Sequence, residues 1–83
     1  MTVERIEQIS GEAADAIASA SDADALGQLR VRYLGRKSDL TAILRGIGEL
    51  DPADRGPVGK LGNATRERLE GLLEERLDSL QGG

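Results

Sequence analysis

The chain has no cysteine and no histidine among its 83 residues. Without Cys there is neither a disulfide framework nor thiolate chemistry, which points to an intracellular, cytoplasmic protein. Without His the commonest general base and the commonest transition-metal ligand are both missing. That excludes Zn sites of the usual Cys/His kind and nucleophiles activated by His. Aromatic residues are almost absent too, with Tyr33 alone and no Phe or Trp. A stacking platform for unstacked bases is therefore not available. Apolar runs reach only two or three residues, as at Ala42-Ile43-Leu44, against the ~20 that a membrane-spanning helix needs. Residues 1–20 carry acids throughout and no apolar block, which argues against a signal peptide and leaves no expectation of a membrane partner.

What is present is aliphatic and charged: twelve Leu, five Ile and three Val beside 11 Lys+Arg and 15 Asp+Glu. So short a chain makes a single domain with a thin core, held by helix seams. The net charge of −4 conceals a pattern. Residues 1–27 sum to −5, residues 28–46 to +4, residues 47–54 to −3, residues 55–68 to +3 and residues 69–83 to −3. The ends are acidic and most of the middle is basic.

Periodicity supplies the elements. Ile6, Ile9, Ala13, Ile17 and Ala20 recur at three and four, marking one face of a helix over about 2–20. Gly11 inside it costs about 1 kcal/mol relative to Ala. Ser21 or Asp22 can cap a second helix. Its seam is Leu26, Leu29, Tyr33, Arg36, Leu40, Ile43, Ile47 and Leu50, and Arg36 is the only polar member. The phase holds through Gly35, which predicts one helix over 22–46, bent at that glycine. The alternative is two shorter helices split there, with Ser38 or Asp39 capping the second. After Gly46 and Gly48, Asp51-Pro52 or Gly56-Pro57 starts a last helix that runs to about residue 80, near Gly82-Gly83. Its stripe widens after Leu69 to Leu72, Leu73, Leu77 and Leu80, more arc than a two-helix seam uses. The expectation is an all-α fold: a coiled-coil-like antiparallel hairpin over 22–80 with its bend at 47–56. A shorter N-terminal helix packs at the base, and residues 1–83 form one domain.

The hairpin gathers nine Lys and Arg of residues 28–46 and 55–68 along its distal half. A phosphate backbone is attracted to such a patch, while a lone solvated face explains many such charges equally well. The candidate nucleic-acid contacts are Arg36, Lys37, Arg45, Arg55 and Lys60 near the bend, followed by Arg30, Arg32 and Arg66. Other signals fail. Gly56-Pro57-Val58-Gly59-Lys60-Leu61 lacks the spacing, the following Ser/Thr and the preceding strand of a phosphate loop. Carboxylate pairs such as Glu4 with Glu7, or Glu70 with Glu74, sit on polar helix faces with no apolar pocket to tune them. No catalytic or metal-ligating set is assigned.

Leu29-Arg30-Val31-Arg32-Tyr33-Leu34-Gly35-Arg36-Lys37-Ser38-Asp39-Leu40-Thr41 carries a further signal. With Gly48-Glu49-Leu50-Asp51-Pro52-Ala53-Asp54-Arg55, then Val58-Gly59-Lys60 and Asn63, it resembles the N-terminal domain of bacterial phenylalanyl-tRNA synthetase alpha subunits. The Tyr-Leu-Gly-basic-basic run is the most specific piece. The family often has Gly where this chain has Ser38. The resemblance implies a helical arm that contacts tRNA and an adenylating catalytic domain elsewhere. It further implies ATP and magnesium used by that domain and none by this one. An assembly of two alpha and two beta subunits is implied as well. A helical protein-interaction or dimerisation module is the competing reading, since exposed Leu seams pair with other helices.

Overall fold

A computed structural model describes residues 2–81 of the chain. Its elements are α1 (Thr2–Ser19), α2 (Ala23–Leu34), α3 (Asp39–Arg45), a single 3-10 turn (Ile47–Glu49) and α4 (Pro52–Gln81). At ~1.5 Å per residue α4 alone is about 45 Å long, and the molecule measures 47 × 19 × 15 Å. One helix thus runs the length of a rod. α2 and α3 lie along it end to end as the outgoing arm of the hairpin. The end of the last helix near Gly82-Gly83 falls outside the described residues.

The expected helix over 22–46 is corrected: it is two helices, broken at Gly35. The cause is a local hydrogen-bond set that ends one helix and begins the next. The Gly35 N–H donates to the Val31 carbonyl at 3.0 Å, closing α2, while Gly35 itself is extended (φ −72, ψ 170). The Ser38 hydroxyl oxygen accepts from the Thr41 N–H at 3.2 Å, the N-cap bond of α3. The Ser38 N–H and the Thr41 hydroxyl both donate to the Gly35 carbonyl, at 3.1 and 2.8 Å. The joint spans residues 35–38, about one helical turn, so the apolar phase continues across a real break. Arg36 consequently leaves the seam: it belongs to the joint and is exposed.

At the other predicted ends, Asp22 caps α2 through a 2.8 Å bond from the Ala25 N–H. α4 begins at Pro52, the earlier of the two starts, where the Asp51 carbonyl takes N–H bonds from Asp54 and Arg55. Pro at the first helical position gives up no bond that a helix would have used. Pro57 is carried inside the helix.

The predicted face of α1 is the core. Ile6, Ile9, Ala13, Ile17 and Ala20 are buried together with Leu26, Leu40, Val58, Leu69 and Leu73. α1 lies parallel to the C-terminal part of α4. Arg68 donates to the Ser10 hydroxyl at 2.8 Å, and Arg76 donates to the Ala20 carbonyl at 3.0 Å, beyond the end of α1. α1 reaches further than the base, however, since its Arg5 contacts Asp39 at the start of α3. α1 packs against α3 as well, and the cover thins toward the bend. There Ile43, Leu44, Ile47 and Leu50 stay half-buried, and α4 meets α3 through Gly62, where an added Cβ would lie 2.5 Å from a Leu44 methyl.

Candidate nucleic-acid interface

All eight sequence-predicted contacts are exposed, and they fall into distinct groups. Arg30 and Arg32 stand on α2, with the Arg32 guanidinium carbon 5.5 Å from the centre of the Tyr33 ring. Arg36 and Lys37 stand on the joint and Arg45 closes α3. Lys60 and Arg66 rise from α4. Arg55 is engaged at the bend: its Nε donates to the Leu50 carbonyl and its Nη2 to the Gly48 carbonyl, both at 2.9 Å. It therefore ties the 3-10 turn to the first turn of α4. Arg66 holds Glu70 at 3.6 Å, one turn along the same helix.

Arg30, Arg36, Lys37, Arg45 and Lys60 have no ion-pair or hydrogen-bond partner among the described residues. They do not form one face. Lys60 is two residues from Gly62, which packs on Leu44, and two residues turn a helix by about 200°. Lys60 therefore points away from α3, which carries Arg45. The structure does bring Arg32 and Lys37 together, on the wall of one cleft between α1, α2 and the joint.

That cleft contains a cation the sequence reading passed over. Arg5 lies in the acidic first segment, so charge summed along the chain assigned it to the base. Folding carries it 34 positions forward, where its Nη2 meets the Asp39 carboxylate at 2.6 Å. The signal was long-range and only the packing of α1 could reveal it. Arg68, another cation of the basic middle, is spent on Ser10 of α1.

Among the described residues no three His, Cys, Asp or Glu side chains converge on a possible metal position. Among the same residues no helix is long and apolar enough to cross a membrane. The bend acids Glu49, Asp51 and Asp54 are exposed, which leaves the tip itself unattractive to phosphate. The usable positive charge lies on the flanks, and most densely at the joint.

Residues 21–82 match the family model described as the N-terminal domain of class II aminoacyl-tRNA synthetases. The chain is 46% identical over 78 residues to the Phenylalanine--tRNA ligase alpha subunit of Moorella thermoacetica, covering 94% of this chain and 23% of that protein. It is 44% identical over 78 residues to the subunit of the same name from Geobacter sulfurreducens, with the same coverage. The chain thus spans about a quarter of the length of the curated relatives it matches.

Proposed function

We propose that this chain, which belongs to the N-terminal domain family of class II aminoacyl-tRNA synthetases, is an arm that holds tRNA by its backbone. The observation that carries the reading is the α2–α3 joint. In a chain related to Phenylalanine--tRNA ligase alpha subunits, it presents Arg36 and Lys37 exposed and unpaired among the described residues. Arg45 follows within one short helix. Lys and Arg set against phosphates give affinity and orientation without reading bases. The near absence of aromatic side chains supports the same mode, because sequence recognition of single-stranded RNA relies on stacked bases.

On this reading the arm orients tRNA while a separate catalytic domain of the same protein, using ATP and magnesium, joins phenylalanine to it. A beta subunit completes the cytoplasmic enzyme, with two copies of each subunit. The arm lowers the entropy of bringing tRNA to that domain and takes no part in the bond-making step.

The test is tRNA binding by this chain at low salt, with Arg36, Lys37 and Arg45 changed to Glu together. The parent should bind weakly and lose affinity steeply as salt rises, because each neutralised phosphate releases counterions. The triple variant should keep its helical circular dichroism and lose binding. Equal binding by parent and variant would overturn the proposal.

A further inference from the structure

The cleft between α1, α2 and the joint has a volume of about 230 Å3. That is below the ~300–1,000 Å3 of sites for drug-sized ligands, so it suits one small group and not a nucleoside. Three elements each bring a cation to it: Arg5 from α1, Arg32 from α2 and Lys37 from the joint. Two acids, Glu12 and Asp39, share the wall. The Arg32 guanidinium lies over Tyr33, which restricts the aromatic face available to a base. A tetrahedral anion is the ligand these walls fit.

Arg5 is held back by Asp39. Their contact is short, 2.6 Å, but the two side chains remain 44% and 68% exposed. An ion pair so open to water is weakly held and exchanges readily. A phosphate entering between Arg32 and Lys37 would meet the Arg5 fork in place of the Asp39 carboxylate, as guanidinium pairs with either group.

We infer that this cleft is a phosphate seat, in which one backbone phosphate of bound tRNA bridges Arg32 and Lys37 and takes Arg5 from Asp39. Asp39 is then an internal competitor for nucleic acid, and α1 is part of the binding surface although Arg5 lies outside the residues matched by the family model. The inference rests on the tRNA-arm reading above.

Binding of a tRNA transcript, followed against salt, tests it. Arg32→Ala and Lys37→Ala should each weaken binding, and the pair together should lower the salt slope by no more than about one, since both serve one phosphate. Asp39→Asn should do the reverse, raising affinity several-fold at every salt concentration, because Arg5 no longer has to leave a carboxylate to meet the phosphate. Removing any acid raises affinity somewhat, so Asp78→Asn at the far end of α4 is the control and should give a smaller gain. In the Arg5→Ala/Asp39→Asn double variant the extra gain should vanish. Asp39→Ser is the second variant, should Asn at the start of α3 reduce helicity. A gain no larger than that of the control, or one that survives loss of Arg5, overturns the seat. Inorganic phosphate should compete with tRNA better than chloride at equal ionic strength. Competition lost in Lys37→Ala supports the seat, while phosphate binding at Lys37 without any effect of that variant on tRNA would make it a small-anion site and overturn the inference. A parent that binds no tRNA at low salt overturns both readings; a parent that binds, with Lys37→Ala and Asp39→Asn inert, overturns this one alone.

Discussion

Ser38 carries more of the joint than its size suggests. It is buried, caps α3 through the Thr41 N–H, and donates to the Thr41 hydroxyl at 2.9 Å. Its backbone (φ −70, ψ 154) is one any residue adopts, so the position has no conformational need of glycine. Ser38→Ala should lower stability by about 1 kcal/mol, whereas Ser38→Gly should cost a few tenths; thermal melts of the two would show whether the hydroxyl or the backbone matters. Glycines divide similarly. A Cβ on Gly35 would lie 2.3 Å from the Val31 carbonyl oxygen, a backbone atom that cannot turn aside. Gly35→Ala should therefore destabilise by about 1–3 kcal/mol. At Gly11 nothing lies within 4 Å of such a Cβ, and Gly11→Ala should stabilise by about 1 kcal/mol through helix propensity. The opposite signs of these melts would check the geometry of both helices. Gly11 as a weak point was readable from sequence; Gly35 as a break was readable only as the second of two alternatives, because glycine interrupts a helix only when neighbouring groups accept the freed bonds. Here those acceptors and donors are Ser38, which the split-helix alternative named as a cap, and Thr41, which bore no mark of the role.

Among the elements, α1 was the most legible, since five apolar positions at helical spacing named its buried face and all five are buried, four on α1 and Ala20 just past its end. α4 was legible in its Leu stripe, and its excess arc is now assigned. Leu73 is buried, and Leu72, Leu77 and Leu80 are half-buried against the core. Val3 and Val31 are the large apolar side chains left exposed among the described residues, so the Leu stripe that motivated a dimerisation module is satisfied within the chain. The dependence of the fold on α1 follows. Without it, Leu69 and the α4 surface around it lose their cover, and the two remaining arms form a seam too thin to outweigh chain entropy. Deleting residues 2–20 should abolish the cooperative thermal transition. Ile6→Ala, at a fully buried position, should cost about 2–5 kcal/mol, enough to unfold a domain of marginal stability. Retention of a two-state melt after the deletion would show that the hairpin stands alone. The elements that periodicity could not resolve, α2 and α3, are short and share one phase, and a joint one turn long leaves no trace in that phase.

For the whole molecule, a count of charge predicts a different ligand response from the structure. If all nine cations of the distal half met phosphate, log affinity would fall against log salt with a slope of roughly −6 to −8, at 0.7–0.9 per phosphate. Folding withdraws several of them. Arg55 is bonded to the bend, Arg66 to Glu70 and Arg68 to Ser10. Lys60 faces away from α3 across a rod only 15–19 Å thick, so one straight stretch of backbone cannot reach it together with Arg45. The remainder on the joint side is Arg36, Arg45 and the seat that Arg32 and Lys37 share with Arg5, joined by Arg30 of α2. Three or four contacts imply a slope of about −2 to −4. Lys60→Ala should leave that slope nearly unchanged, whereas Arg36→Ala should lower it by about one. A slope beyond about −6, or equal losses at Lys60 and Arg36, would mean that tRNA wraps the rod instead of lying along one flank. The acidic base contributes by refusal. Glu70, Glu74, Glu75 and Asp78 on α4 and Asp15 on α1 repel a polyanion, so a bound strand should register at the joint and extend toward the bend, up to the acids there. Joint-centred binding predicts that hydroxyl-radical protection of tRNA by this chain covers a single short backbone segment, and that the segment disappears in Arg36→Glu/Lys37→Glu while Lys60→Glu leaves it in place.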